Sequence, residues 1–280
     1  MSAPFTTIIV ADSRARGIDD FIGSHPTPPN HSYALEVHPG KTLAQLIPII
    51  IAAIRRYEKG DYYCIVMAGI NGLTDRARIG GRKALRYQSL YREDKTLSII
   101  ESIKFLKDNY GSKINIATII PASLPGYFAY HNPSVEVPSF LEAEQKDLEA
   151  DIISINETIL YLHPPNFTNI NLAKRAQKRA KVRRQRSGSK RVYRRKDHFY
   201  YSDLPDGLHF NDSLKSICFR LIIDTAIRDS ANLQAISESD QASHRLQPWP
   251  VGPDPTLTSA SDQNNNLDIQ IHPDDDTFDL

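Results

Sequence analysis

Cysteine is almost absent from this chain: of 280 residues, only Cys64 and Cys218 are thiols. Each sits inside an apolar run, so they read as buried free thiols of a reducing compartment and not as a disulfide framework. Two cysteines also fall short of a zinc ligand set, and no metal site is expected. Long apolar runs are lacking too. None approaches the ~20 residues that span a bilayer. The longest candidate, residues 46–54, contains Pro48 and reads as a buried helix. Residues 1–10 have neither a basic start nor a long apolar stretch, which predicts no signal peptide. These absences together predict an intracellular protein, cytoplasmic or nuclear, with no membrane span.

What is present is a chain with 40% hydrophobic and 24% charged residues, enough to bury a core of ordinary size. The formal net charge of +1 hides an asymmetry. Residues 174–196 carry Lys174, Arg175, Lys178, Arg179, Lys181, Arg183, Arg184, Arg186, Lys190, Arg191, Arg194, Arg195 and Lys196, with no acid among them. Residues 238–280 carry nine acids against one base, Arg245. The expected organisation is a domain over residues 1–230 with a basic insertion at 174–196. A disordered, acidic, proline-containing tail would follow over 231–280.

Within the domain, apolar runs alternate with helical stripes. Residues 6–10, 33–37, 62–67 and 114–120 read as strands, and 167–172 as a fifth. Thr42-Leu43-Ala44-Gln45 fits a capping box that opens a helix with an apolar stripe from Leu43 to Ile54. Pro48 is a flaw in that helix. Further helices are expected over 90–110, with Gly111 as C-cap, over 141–162, and from Asp212 onward. The alternation predicts an α/β fold in three α/β/α layers around a central parallel sheet. Ligands of such sheets sit at the carboxyl ends of the strands. Ser13, Gly40 and Asn71 each fall just after a predicted strand.

Acyl transfer needs a nucleophile, a base to take its proton, and a group that orients the base. Ser13 is a candidate nucleophile. Asp206-Gly207-Leu208-His209 offers an imidazole and a carboxylate in one loop before the last helix. A developing oxyanion needs donors already in place. The backbone N–H groups of Ser13 and Gly40 and the Asn71 amide are candidates. Structural readings stand beside these. Ser13 can cap a turn, Gly40 and Asn71-Gly72 can simply make turns, and His209 can be a surface histidine. Asp12 reads as a hydrogen-bonding residue. His131, in a loop, either lines the cleft or lies on the surface.

Taken in order, these blocks resemble the SGNH (GDSL-type) hydrolases. Ala11-Asp12-Ser13 stands where that family has Gly-Asp-Ser, Gly40-Lys41-Thr42 where it has a glycine before a helix, and Gly69-Ile70-Asn71-Gly72 where it has Gly-x-Asn-Asp. Asp206-Gly207-Leu208-His209 matches its Asp-x-x-His. The blocks span roughly residues 6–228. Ala11 and Gly72 depart from the pattern: the first replaces a backbone-constraining glycine, the second a loop-bracing aspartate. The resemblance implies a serine esterase or acylhydrolase acting on a small ester. Ser13, His209 and Asp206 would form the triad, Ser13, Gly40 and Asn71 the oxyanion hole, and no cofactor would be needed.

The alternative is an SGNH-like domain of weak or lost activity that binds nucleic acid through residues 174–196. Such domains occur in RNA-binding and retrotransposon-encoded proteins, which the pairing of these blocks with a basic segment resembles. A charge run of this density suits phosphate neutralisation on RNA or DNA, a nuclear localisation signal, or a solvated face.

Overall fold

A computed structural model of the chain describes residues 5–87, 92–179, 197–199 and 201–245. In chain order the elements are β1 (Phe5–Ala11), α1 (Ile18–Ser24), β2 (His31–Val37), α2 (Leu43–Tyr57), β3 (Asp61–Met67), α3 (Ile70–Leu73), β4 (Asp75–Ile79) and β5 (Arg82–Arg86). They continue with α4 (Arg92–Tyr110), β6 (Ile114–Ile116), α5 (Leu124–His131), α6 (Phe140–Tyr161), α7 (Leu172–Ala176), β7 (Gln177–Arg179), β8 (Asp197–Phe199) and α8 (Asp212–Arg245). Short 3-10 turns cover Ser13–Ala15, Gly111–Lys113 and Tyr201–Asp203. Contacts define one compact unit, Met1–Asp240. The only described part of the second, Gln241–Leu280, is the end of α8.

The central sheet is parallel, in the order β2-β1-β3-β6. Its inner strands are buried on both faces, and alternation divides their side chains between two cores. Ile8, Val10, Cys64 and Val66 face α2, α4 and α6, through residues such as Leu46, Ile103 and Ile152. Ile9, Ala11, Tyr63, Ile65 and Met67 face α1 and α8, through Ile18, Leu214, Phe219 and Ile222. The result is the expected three-layer α/β/α arrangement. Each fully buried Ile or Leu contributes about 1.5–3 kcal/mol of transfer free energy. The capping box at Thr42 is present, with the Thr42 hydroxyl accepting from the Gln45 N–H and the Gln45 side chain from the Thr42 N–H. Helix α2 runs through Pro48 without interruption.

Two expectations at the sheet edge are corrected. The strand expected over 114–120 stops at Ile116. Beyond it, the Asn156 side chain takes over the ladder: its Oδ1 accepts from the Ile119 N–H at 2.7 Å and its Nδ2 donates to the Ile119 carbonyl at 2.9 Å. Residues 167–172 form no strand. Side chains hold their backbone instead. Asp229 accepts from the Thr168 N–H at 3.1 Å, and Asn115 donates to the Thr168 carbonyl at 2.8 Å. Toward the segment after β6, the main-chain bond among the described residues runs from Thr118 N–H to the Ile170 carbonyl at 3.0 Å.

After α3, β4 and β5 pair as an antiparallel hairpin around Gly80-Gly81. No described helix is long and apolar enough to cross a membrane. Of the basic block, Lys174 and Arg175 lie on α7, and Lys178 and Arg179 in β7, which pairs with β8. Lys181, Arg183, Arg184, Arg186, Lys190, Arg191, Arg194, Arg195 and Lys196 lie outside the described residues, and the tail expected over 231–280 is helical in α8 as far as Arg245 and lies outside the described residues beyond it.

Candidate active site

The site begins where β1 ends. Ala11 is still in the strand, paired with Val37 and Met67, in ordinary extended backbone. The glycine of the family pattern is therefore not required there. Asp12 follows, buried, with Oδ1 accepting from the Arg14 N–H at 2.9 Å. That bond caps the 3-10 turn in which Ser13 sits, the role expected of Asp12. Burial pushes the Asp12 carboxyl up, against the lowering effect of Arg14 and its amide.

The loop after β2 is held to β1 by the His38 N–H, which donates to the Ala11 carbonyl at 2.8 Å. It turns at Gly40, whose φ of +78° lies in the left-handed region that side chains disfavour. Asn71, on the short helix α3, donates from Nδ2 to the Lys41 carbonyl at 3.2 Å and ties the two loops together. That bond uses one of its two amide hydrogens. Among the described residues, the Ser13 and Gly40 N–H groups donate to no other group. A side chain at position 72 would have its Cβ 3.2 Å from Ile99 Cδ1. Packing against α4 thus fills the space where the family has aspartate.

The fourth block closes the site from the other side. Asp206 Oδ1 accepts from the Leu208 N–H at 3.0 Å and the His209 N–H at 2.7 Å. Asp206 Oδ2 accepts from His209 Nδ1 at 2.6 Å, and His209 Nε2 lies 3.2 Å from Ser13 Oγ. With the Nδ1 proton engaged by the carboxylate, Nε2 is the acceptor for the Ser13 hydroxyl. Burial alone would raise the Asp206 carboxyl. The His209 ring and the two amides outweigh it and hold Asp206 below its ordinary range.

Gly207 fixes this loop. Its carbonyl accepts from the Ser123 N–H at 2.7 Å, at the start of α5. Its φ is +73°, and an added Cβ would lie 2.2 Å from Tyr127 N. No other residue fits without moving the loop.

Arg14 was not expected in the site. Its guanidinium is buried beneath the nucleophile turn, and burial lowers its pKa. Nε donates to the Leu208 carbonyl at 3.1 Å and Nη1 to the Ile120 carbonyl, while the group stacks 5.3 Å from the Phe210 ring centroid. One side chain thus joins the Ser13 turn, the Asp206–His209 loop and the end of the segment after β6. Sequence patterning gives no sign of it, because an arginine in a polar turn reads as exposed.

Ser13, Gly40, Asn71 and His209 all line one open cleft of about 520 Å³. Asp206 sits behind His209. His131 contacts the Tyr127 and Tyr130 rings and does not line this cleft. Neither Lys174 nor Arg175 lines it. Among the described residues, no three His, Cys, Asp or Glu side chains cluster as metal ligands.

No protein-family model and no curated protein matches the chain. Among solved structures, it is similar to a lipase/acylhydrolase from Enterococcus faecalis at 15% identity and a TM-score of 0.44, over 78% of this chain and 93% of that one. It is also similar to the psychrotrophic esterase EstA from Pseudoalteromonas sp., at 12% identity and a TM-score of 0.41, over 81% of this chain and 98% of that one.

Proposed function

We propose that the cleft at the carboxyl ends of β1, β2 and β3 is the active site of a serine esterase or acylhydrolase of SGNH type. The observation that carries this reading is the hydrogen-bonded chain Ser13 Oγ, His209 Nε2, His209 Nδ1, Asp206 Oδ2. Ser13 Oγ attacks the ester carbonyl, and His209 Nε2 accepts its proton. Asp206 fixes the ring tautomer and stabilises the imidazolium. The Ser13 and Gly40 N–H groups and the second Asn71 amide hydrogen receive the oxyanion. Collapse of the tetrahedral intermediate leaves an acyl group on Ser13, and the alcohol departs with the proton from His209. Water, deprotonated by the same imidazole, then releases the acid.

Serine alone is inert at neutral pH, so the neighbouring base is the feature that makes Ser13 a nucleophile. Short-chain p-nitrophenyl ester hydrolysis by wild type and Ser13→Ala tests the reading. The expected loss is about 10⁴-fold or more in kcat. Equal rates for the two proteins would sink it. The nucleic-acid reading of residues 174–196 rests on charge alone. Its test is the salt dependence of RNA binding with and without that segment.

A further inference from the structure

Two arginines share the cleft with Ser13 and have no side-chain partner among the described residues. Arg16 leaves the nucleophile turn, and Arg76 is the second residue of β4; both are exposed and both line the cleft. Among the described residues, neither guanidinium meets a carboxylate. Among the described residues that line the cleft, the one acid, Asp75, is ion-paired with Lys95. Other described arginines are matched: Arg86, on β5 of the same hairpin as Arg76, is held by Glu144, and Arg56 by Glu36.

The positive wall continues along the hairpin. An adjoining cavity of about 400 Å³ shares Arg76 and is also lined by Arg78, Lys83 and Tyr127, with no acidic side chain among the described residues. Arg78 and Lys83 stand directly opposite each other in the β4–β5 ladder. Like charges in that position destabilise a sheet. A bound anion would offset the repulsion. A concave surface lined by one sign of charge focuses its field and concentrates counter-ions. Guanidinium groups also match carboxylate and phosphate oxygens in a planar, bidentate fashion.

We propose that this cleft selects esters bearing a negative charge, with Arg16 and Arg76 binding a carboxylate or phosphate on the substrate beside the carbonyl that Ser13 attacks. The inference rests on Ser13 being the nucleophile of this cleft. It adds the class of substrate.

The test compares two p-nitrophenyl esters of equal acyl length, the glutarate monoester and the valerate, on the intact chain. At low salt, the wild type is expected to favour the glutarate ester in kcat/KM by roughly fivefold, about what two solvent-exposed ion pairs supply. The preference shrinks with added salt. The double variant Arg16→Gln/Arg76→Gln brings the ratio close to one. Both positions are exposed, and circular dichroism checks that the fold is kept. A wild-type ratio of one, or a ratio unchanged in the double variant, overturns the proposal.

A second measurement needs no turnover: titration of glutarate and of glycerol 3-phosphate, read at the arginine Nε–H signals by NMR. Saturable shifts that the double variant abolishes support the anion site, and the tighter of the two ligands names the group. Such shifts with neither ester hydrolysed would leave the anion site standing and remove the serine-esterase reading. Absence of saturable binding to both ligands overturns the anion site even if both esters are hydrolysed.

Discussion

The two sides of the cleft are built on opposite principles. On the Asp206–His209 side, each carboxylate oxygen and each ring nitrogen already has a partner. The loop carrying them is pinned from below by Arg14 and from the flank by the Gly207–Ser123 bond. On the Gly40–Asn71 side, a single hydrogen bond joins the two loops, and the Ser13 and Gly40 N–H groups have no acceptor among the described residues. The proposed chemistry asks for this difference. A proton relay has to be assembled before substrate arrives. Oxyanion donors have to stay vacant until charge develops, because a donor already engaged must first break its bond.

Breaking the satisfied side should have the larger effect. Asp206→Asn keeps the shape but removes the charge and favours the wrong ring tautomer, so kcat should fall by about 10²–10⁴. The same variant reads the carboxylate's contribution to stability. Asp206 is held below its ordinary value of 3.8, so its folded pKa is lower than its unfolded one. Its contribution is therefore complete above the unfolded value and is lost as pH falls through the folded one. Urea unfolding between pH 6 and about pH 3 should show wild type losing more stability than Asp206→Asn. Parallel curves for the two proteins would mean that the Asp206 bonds are not formed in solution.

The vacant side should respond next. Asn71→Ala removes one oxyanion donor and should lower kcat by about 10²–10³ with little change in KM. It also frees the Lys41 carbonyl, so a rise in KM as large as the fall in kcat would show that Asn71 mainly braces the Gly40 loop. Gly207→Ala sharpens the contrast from the satisfied side without touching a reacting atom. Its Cβ would overlap Tyr127 N, so the loop must shift, and a displacement of ~1 Å can cost on the order of 10²-fold in rate. A variant with full activity would show that the loop does not need its seat on α5.

The legibility of the molecule divides along similar lines. Strands β1 to β3 and helix α2 could be read because their signals are local: short apolar, β-branched runs, an apolar stripe and a capping box. Ser13, Gly40 and Asn71 could be placed together because a parallel sheet gathers the ends of its strands. His209 and Asp206 followed from one short block. Arg14 could not be read, since its burial depends on a cavity formed by segments over a hundred residues away. Residues 167–172 have strand-like composition, yet Asn115 and Asp229 hold their backbone before a ladder forms, and both lie outside the segment. The β4–β5 hairpin carried a readable sign, Gly80-Gly81 between two five-residue runs. Its alternation is of charged and small residues, which obscures the apolar period that marks a strand.

The departures of Ala11 and Gly72 from the family pattern set the smallest test. Ala11 is fully buried in the strand, its carbonyl accepts from the His38 N–H, and its backbone is extended. Nothing there calls for glycine. Ala11→Gly would remove a packed methyl and free the unfolded chain, at about 0.5–1 kcal/mol of stability. The loss should appear as a lower urea midpoint with an unchanged m-value. A gain in kcat on introducing glycine would instead mean that the nucleophile turn is held back by Ala11. The satisfied side of the cleft would then be less complete than its hydrogen bonds suggest.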